Sequence, residues 1–224
     1  QILADTGATL ALDLATSSGT SDVVNIDIKA SGTVNANTIT IANTETVNIT
    51  NSFSVAGTDE AGKLTTMALV ATKATSITVT GDEGLVLTNT GNTKVTNFDA
   101  SGVVATTTAD TATNMAVTFT SENTSTTATV SITGGAGDDA LTGNASIDTI
   151  IGGLGAYTIT ASAGNDVITG GAGADTFQFT AALLAANSGT TATFDGGAGT
   201  DILTITDTGA TIVDADFRGI TSVA

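Results

Sequence analysis

Residues 134–178 read GGAGDDALT GNASIDTII GGLGAYTIT ASAGNDVIT GGAGADTFQ, five nine-residue units in unbroken register. The units share the template G-G-x-G-x-D-x-U-x, in which U is a large apolar residue. The hexapeptides at 134–139 and 170–175 are both GGAGxD and lie four whole periods apart. A repeat of this length predicts a coiled ladder of short strands whose turns bind Ca²⁺.

Each unit divides into a six-residue turn and a three-residue strand. Glycine suits the turn because its backbone reaches angles closed to other residues, and because it lets carbonyl oxygens crowd around one point. The aspartate adds negative charge there, and carbonyl and carboxylate oxygens are the ligands that Ca²⁺ prefers. The apolar position points into the coil and stacks on its equivalents. It is occupied by Leu141, Ile150, Ile159, Ile168 and Phe177.

A sixth unit, GGAGTDILT at 196–204, follows out of phase with the first five. It starts 26 residues after Gly170, one residue short of three periods. Residues 179–195 therefore form a detour from the ladder, in which the Ala/Leu stretch Ala181–Asn187 predicts a helical turn. Beyond the detour, Asp201 is a candidate ligand for a further ion.

The candidate metal ligands are the glycines and aspartates at the turn positions of these units. Glycine contributes a carbonyl oxygen, and aspartate contributes a carboxylate. The candidates are Gly135, Gly137, Asp139, Gly143, Asp148, Gly153, Gly155, Gly164, Asp166, Gly171, Gly173, Asp175, Gly197, Gly199 and Asp201.

The repeat resembles the RTX family, the glycine- and aspartate-rich repeats of bacterial proteins exported by type I secretion. In that family two units make one coil, and Ca²⁺ lies between a turn and the equivalent turn one coil later. The resemblance implies that unit one stacks on three, three on five, and two on four. It also implies that Asp148 and Asp166 share one ion, and that Asp139 and Asp175 flank the turn of unit three.

Several turns depart from the template. The turn of unit three carries Tyr157 where an aspartate belongs, so the resemblance implies one carboxylate for each ion on that edge. Asn144 and Ser146 replace glycines in unit two, and Ala161 and Ser162 replace them in unit four. The ligand rules then imply about two to four ions in this segment.

Two other interpretations of the repeat are a glycine-rich linker and a roll that folds without metal. A linker lacks an apolar position that recurs in every unit. A roll without metal would stack carboxylates in adjacent turns with no cation to offset their repulsion.

Composition narrows the function classes. The chain has 22 acidic against five basic residues, a formal charge of −17, so it lacks the basic patch that nucleic acid requires. Metal binding should offset this charge and be coupled to folding. No cysteine is present, which excludes disulfides and thiolate metal sites. No signal peptide and no apolar run long enough to insert into a membrane is found.

Residues 1–133 lack the nonapeptide but contain short strands in which Val and Ile alternate with Thr, Asn and Ser. Examples are Val23–Ile28, Thr46–Thr50 and Ser76–Thr80. This period of two predicts strands with one buried face. The last of them, Ala128–Ile132, enters the first repeat turn with no linker, which favours one continuous solenoid. An antiparallel sandwich has the same alternation.

The predicted fold is therefore all-β, a parallel β-solenoid with a calcium-binding β-roll segment. The alternative is a β-sandwich over residues 1–133 followed by a β-roll. The predicted organisation is a Thr/Ala/Asn-rich solenoid region at 1–133, the β-roll at 134–204 with its detour at 179–195, and further strand rungs at 205–224. The strand pattern after the last repeat turn is predicted at Ile202–Ile205 and Thr211–Val213. The segment Asp59–Lys73 suits either a helix or an irregular bulge.

Three acidic clusters outside the repeats are further candidate Ca²⁺ ligands. Solvated turn charges are the simpler interpretation of each. The clusters are Asp59 with Glu60, Asp82 with Glu83, and Asp214 with Asp216.

An enzymatic role is not expected. With no histidine and no cysteine, the Ser-His-Asp and Cys-His arrangements are impossible. A glycosidase with two carboxylates is formally possible. Such sites usually add aromatic residues that stack on sugars, and only 4% of this chain is aromatic.

Residues 1–133 are similar in composition to the lattice-forming regions of bacterial S-layer proteins that carry RTX repeats. The resemblance implies a structural, self-assembling protein of the bacterial cell surface, extracellular, with Ca²⁺ rigidifying the coils. Expected partners are further copies of the chain, through calcium or strand-edge contacts, and cell-surface polysaccharide through another domain. Alternatives are a spacer or binding segment of a large RTX adhesin, and a non-catalytic secretion appendage of an exported enzyme.

Overall fold

A computed structural model describes residues 10–13, 19–30, 33–53, 65–106, 108, 110–187, 192–208, 211 and 213–223. These residues contain an α-helix, α1 (Ala181–Asn187), and a 3₁₀ helix (Asp214–Phe217). The strands are β1 (Leu10–Asp13), β2 (Val23–Ala30), β3 (Val34–Ala42), β4 (Thr46–Phe53), β5 (Thr65–Val70), β6 (Ser76–Gly81), β7 (Leu85–Asn89), β8 (Asn97–Val103), β9 (Val117–Thr120), β10 (Val130–Thr133), β11 (Ala140–Thr142), β12 (Asp148–Gly153), β13 (Thr158–Thr160), β14 (Val167–Ala172), β15 (Thr176–Phe179), β16 (Thr193–Ala198), β17 (Ile202–Ile205) and β18 (Ile220–Thr221).

Successive strands alternate between two sheets. Odd-numbered strands follow one another in one sheet and even-numbered strands in the other, nine in each among the described residues. All these strand pairs are parallel. Two strands and two turns therefore make one coil, and the predicted parallel β-solenoid is confirmed. The antiparallel sandwich for residues 1–133 is wrong over their described part, because a chain that coils in one sense brings strands together only in parallel.

The apolar position of the repeat forms the core of the coil. Leu141 pairs with Ile159, and Ile159 pairs with Phe177, on successive strands of the odd-numbered sheet. Ile150 pairs with Ile168 in the even-numbered sheet. All five side chains are buried. The predicted stacking of unit one on three, three on five, and two on four is confirmed.

The same two-sided pattern extends through the earlier coils. In β5, Thr65, Met67 and Leu69 are buried while the residues between them are partly exposed, as a strand with one face on a core requires. The rings of Phe98 and Phe119 stack across the two sheets with centroids 3.8 Å apart and planes 8° apart. Burial of each such side chain stabilises the fold by about 1.5–3 kcal/mol.

Helix α1 occupies the detour between β15 and β16. The hydroxyl of Thr180 accepts a hydrogen bond from the Leu183 amide at 3.2 Å and caps the helix. Leu184 is buried and anchors the helix to the core. The helix predicted at Ala181–Asn187 is confirmed, and after it Phe194 returns to pair with Ile168.

The strand predicted at Ile202–Ile205 is present as β17, but Thr211 and Val213 lie outside strands. The last rung is β18 instead. Gly219, at a φ of +83°, turns the chain into this strand, and its carbonyl oxygen accepts the Phe194 amide at 2.8 Å. Of Asp59–Lys73, residues 59–64 lie outside the described residues and 65–70 form β5 rather than a helix.

Neither helix of the described chain combines the length and apolar content needed to cross a lipid bilayer.

Candidate metal centre

The repeat turns lie on two edges of the solenoid. On the first edge an even-numbered strand leads into an odd-numbered one, through turns 134–139, 152–157, 170–175 and 196–201. On the second edge an odd-numbered strand leads into an even-numbered one, through turns 143–148 and 161–166. Each edge therefore stacks equivalent turns from consecutive coils.

The five turn aspartates are withdrawn from solvent. Their side chains are at most 2% exposed. A carboxylate at such depth is costly unless hydrogen bonds or a cation compensate its charge. These aspartates are Asp139, Asp148, Asp166, Asp175 and Asp201.

One oxygen of an aspartate reaches back to the preceding coil. Oδ1 of Asp175 accepts the Tyr157 amide at 2.9 Å, and Oδ1 of Asp201 accepts the Asp175 amide at 2.9 Å. Oδ1 of Asp139 accepts the Val117 amide at 2.7 Å in the same way. The aspartate is therefore a backbone link between coils as well as a candidate ligand. Sequence reasoning missed this role, although the recurrence of aspartate directly before each strand is its signal.

The second oxygen closes the turn itself in two units. Oδ2 of Asp139 accepts the Gly135 amide at 2.7 Å, and Oδ2 of Asp148 accepts the Asn144 amide at 2.7 Å. These hydrogen bonds hold the second and sixth positions of a turn together and point a carboxylate oxygen into the turn.

Other carboxylate oxygens of the turns have no protein partner. Oδ1 of Asp148, Oδ2 of Asp175 and Oδ2 of Asp201 are buried without a hydrogen bond in the described part of the chain. Buried polar atoms are nearly always paired, with protein, water or an ion. Buried carboxylate oxygens of this kind are the ligands that a hard cation such as Ca²⁺ prefers.

Burial also changes the acidity of these groups. It raises the pKa of Asp139 and of Asp166 to about 7 and that of Asp148 to about 6. The pKa of Asp175 is raised for the same reason. Loss of hydration disfavours the ionised form, and a bound cation would reverse that effect.

The turn glycines leave room for oxygen atoms. A Cβ atom at Gly170 would collide with Oδ2 of Asp175, and one at Gly196 would lie 2.6 Å from Oδ2 of Asp201. Gly173 has a φ of +129° and approaches the carbonyl of Gly155 so closely that a Cβ would overlap it. The glycine therefore lets its turn approach a carbonyl of the preceding coil closely.

On the second edge, Asp148 and Asp166 lie together as expected. Oδ1 of Asp166 accepts the Asp148 amide at 2.9 Å. The Ser162 hydroxyl lies 3.0 Å from Oδ2 of Asp148 and 3.5 Å from Oδ2 of Asp166. Ser162, which replaces a template glycine, thus joins the two carboxylates.

On the first edge, Asp175 and Asp201 lie in consecutive coils, whereas Asp139 and Asp175 are separated by the turn of Tyr157. Within the described ranges, no three carboxylates converge on one point. An ion held by two aspartates would therefore take its other ligands from carbonyl oxygens. The glycines that line the stacked turns at those positions are Gly135, Gly137, Gly143, Gly153, Gly155, Gly164, Gly171, Gly173, Gly197 and Gly199.

Earlier turns are closed by asparagine amides, which the sequence analysis did not single out. Oδ1 of Asn92 accepts the Ala71 amide at 2.5 Å, and Nδ2 of Asn92 donates to the Leu69 carbonyl at 2.8 Å. Nδ2 of Asn123 donates to the Val95 carbonyl at 2.7 Å. An amide carries both a donor and an acceptor, so it can join coils without an ion.

The acidic clusters outside the repeats make protein contacts where they are described. Oδ2 of Asp82 accepts the Thr106 hydroxyl at 2.9 Å, and Oδ2 of Asp216 accepts the Val213 amide at 2.9 Å. Glu83 is buried. The remaining members lie outside the described residues or have side chains that are not described, and they are Asp59, Glu60 and Asp214.

Parallel coils, glycine turns and buried unpaired carboxylate oxygens define a calcium-binding β-roll. Residues 131–159 and 158–178 match the family model of the RTX calcium-binding nonapeptide repeat, in four copies. The chain therefore carries RTX calcium-binding repeats, over about a fifth of its length. RTX repeats occur in exported proteins. No curated protein matches the sequence.

The described residues that fit Ca²⁺ best are Asp148 and Asp166 on the second edge and Asp175 and Asp201 on the first, with neighbouring glycine carbonyls. A bound ion supplies positive charge to oxygen atoms that the protein leaves unpaired. The protein's own hydrogen bonds orient these aspartates in their turns, as contacts from outside the ligand set orient metal ligands.

Proposed function

We propose that this chain is a structural, non-catalytic solenoid of an extracellular bacterial surface protein, exported by type I secretion, which assembles into an ordered array such as an S-layer. Calcium in the RTX turns rigidifies the coils. Further copies of the chain are the principal partners, and cell-surface polysaccharide is bound through another domain.

The observation that carries this proposal is the continuous two-sheet ladder with buried, unpaired carboxylate oxygens between its coils. The apolar core continues from Val24 to Phe194. Asp175 and Asp201 are buried acids in consecutive coils, and a cation would compensate their negative charge. The stiffness of the ladder therefore depends on calcium. This dependence suits a scaffold that is exported unfolded and folds outside the cell when it binds Ca²⁺.

Assembly is supported by the ladder's edges and outer faces. Among the described residues, β17 and β18 each have a strand neighbour on one side only. Unpaired strand edges are templates for another strand, and head-to-tail contacts of this kind extend into filaments or sheets. Outer side chains also form polar ladders, as where Nδ2 of Asn48 donates to Oδ1 of Asn25 at 2.8 Å. Such faces suit lateral contacts.

Electron microscopy and light scattering of the purified chain, with Ca²⁺ and with chelator, test the proposal. Ordered sheets or fibres that form with Ca²⁺ and dissolve in chelator are expected. The Asp166→Asn variant, which removes one carboxylate charge, should assemble only at higher Ca²⁺. Monomers that persist with Ca²⁺ at high concentration would refute assembly.

Monomers that persist with Ca²⁺ would instead favour the second candidate function, a spacer segment of a large RTX adhesin. The nine coils formed by the described residues, at a strand spacing of about 4.8 Å, make a ladder about 40 Å long. A calcium-stiffened ladder of that length can hold a ligand-binding domain away from the cell without self-association.

A further inference from the structure

We infer that the hydroxyl group of Tyr157 takes the place of a calcium ion between turns 134–139 and 152–157. This pair of turns is closed by hydrogen bonds of the protein itself, and ion binding on the first edge is confined to the coils that follow. This role of Tyr157 involves the calcium-binding turns alone and is independent of assembly.

Tyr157 occupies the aspartate position of its turn by backbone register. The Thr158 amide donates to the Asp139 carbonyl at 2.9 Å, one coil earlier. The Tyr157 amide donates to Oδ1 of Asp175 at 2.9 Å, one coil later. The backbone is therefore that of a regular calcium turn, and only the side chain differs.

The phenol side chain fills the space between the two turns. It is 1% exposed. A Cβ atom at Gly152 would lie 2.6 Å from Cδ2 of the ring, and one at Gly134 would lie 3.2 Å from Cε1. The ring thus folds back over its own turn and touches the turn of the preceding coil, which leaves no space for an ion beside it.

The hydroxyl makes the hydrogen bonds that close this space. It donates to the Gly135 carbonyl at 2.7 Å in the preceding coil and accepts the Gly155 amide at 3.0 Å in its own. The Gly135 carbonyl also accepts the Leu154 amide at 3.3 Å. Both lone pairs of that carbonyl are therefore engaged, and it has none to offer a cation.

The aspartates on either side of Tyr157 differ in how their carboxylate oxygens are hydrogen-bonded. Both oxygens of Asp139, which faces the Tyr157 turn, accept backbone hydrogen bonds. Oδ2 of Asp175 and Oδ2 of Asp201, in the coils after Tyr157, are buried with no hydrogen bond within the described chain. On this edge of the described chain, carboxylate oxygens that lack a hydrogen bond and could bind a cation therefore occur only in the coils after Tyr157.

The first test counts bound Ca²⁺ by equilibrium dialysis on the full chain and its variants. Tyr157→Asp restores the template carboxylate and opens the space, and should bind one more ion per chain than wild type. Tyr157→Phe keeps the ring and should bind the wild-type number, with lower thermal stability because the Gly135 carbonyl and Gly155 amide lose a partner. An unchanged count in a folded Tyr157→Asp variant would overturn the inference.

The second test uses wild type and does not depend on how a variant folds. Anomalous scattering from a crystal of the wild-type protein, grown in the presence of Ca²⁺, locates the ions directly. Ions are expected between turns 143–148 and 161–166 and in turns 170–175 and 196–201. An ion bound to the Gly135 carbonyl would contradict the inference. Absence of ions from every turn would instead contradict calcium binding itself, so the two failures are distinguishable.

Discussion

Oδ1 of Asp166 accepts the backbone amide of Asp148 at 2.9 Å, one coil earlier on the second edge. Both side chains are fully buried, and Ser162 lies between their carboxylates. The fold therefore holds the two carboxylates of this pair together between consecutive coils. The carboxylate that ties two coils together is also the one whose charge a cation must balance.

Substitution of Asp166 by asparagine should weaken Ca²⁺ binding by about tenfold or more, about 1.4 kcal/mol. The amide oxygen can still accept the Asp148 amide, so the coil contact remains while the charge is lost. Isothermal titration calorimetry measures the change. Asp82→Ala, which removes an acid outside the repeats, is the control and should leave affinity close to wild type. Equal losses in both variants would show that Asp166 is not a ligand.

Calcium dependence should differ along the chain. Coils closed by Asn92 and Asn123 use neutral amides, whereas later coils use Asp148, Asp166 and Asp175. In chelator, backbone amides of β4 to β8 should remain protected from hydrogen exchange, and those of β12 to β17 should lose protection. Mass-spectrometric hydrogen exchange measures both regions in one sample. Uniform loss of protection would mean that the amide-closed coils also need calcium.

Stability without metal should fall as pH rises. Burial raises the pKa of Asp139 and Asp166 to about 7 and of Asp148 to about 6, from an ordinary value of 3.8. A raised carboxyl pKa in the folded state contributes stability that is full below about pH 4 and is lost as pH rises through 6–7. Urea unfolding in chelator should therefore give a lower free energy of unfolding at pH 8 than at pH 5.

Calcium should reverse that pH trend, because the ion binds the ionised carboxylates and stabilises the fold most at pH 8. Asp166→Asn in chelator should show a shallower pH dependence than wild type, since one buried acid is removed. Stability in chelator that stays level or rises between pH 5 and pH 8 would contradict the assignment of these buried acids.

Close approach of coils should make Gly173 intolerant of a side chain. Gly173→Ala should destabilise by about 2–4 kcal/mol, from left-handed strain plus collision with the Gly155 carbonyl. Gly91→Ala is the matched control, since Gly91 also has a positive φ, +69°, but nothing within 4 Å of its Cβ position. The Gly91→Ala variant should lower the free energy of unfolding by about 1–2 kcal/mol. Thermal unfolding with Ca²⁺ measures both, and equal losses would mean that the coils can separate at Gly173.

The nonapeptide region was predictable in detail because its period is encoded locally. A constant step of two units, 18 residues, brings Tyr157 beside Asp175 and Asp148 beside Asp166. Period, register, apolar column and candidate aspartates all follow from that step. The coils of the first half have no constant length, since cross-coil hydrogen bonds join residues 23, 30 and 21 apart. Alternation alone therefore indicated strands there but left sandwich and solenoid both open.

By itself, the sequence determined the repeat, the calcium-binding turns and the strand character of the rest, because each depends on residue types at short, regular spacing. Only the tertiary structure decided how the turns are closed. It showed Asp175 donating its amide to Asp201 across 26 residues, Asn123 closing a coil without charge, and the Tyr157 hydroxyl reaching the Gly135 carbonyl. These contacts join different coils, so they depend on which turn stacks on which, and the stacking exists only once the chain has coiled.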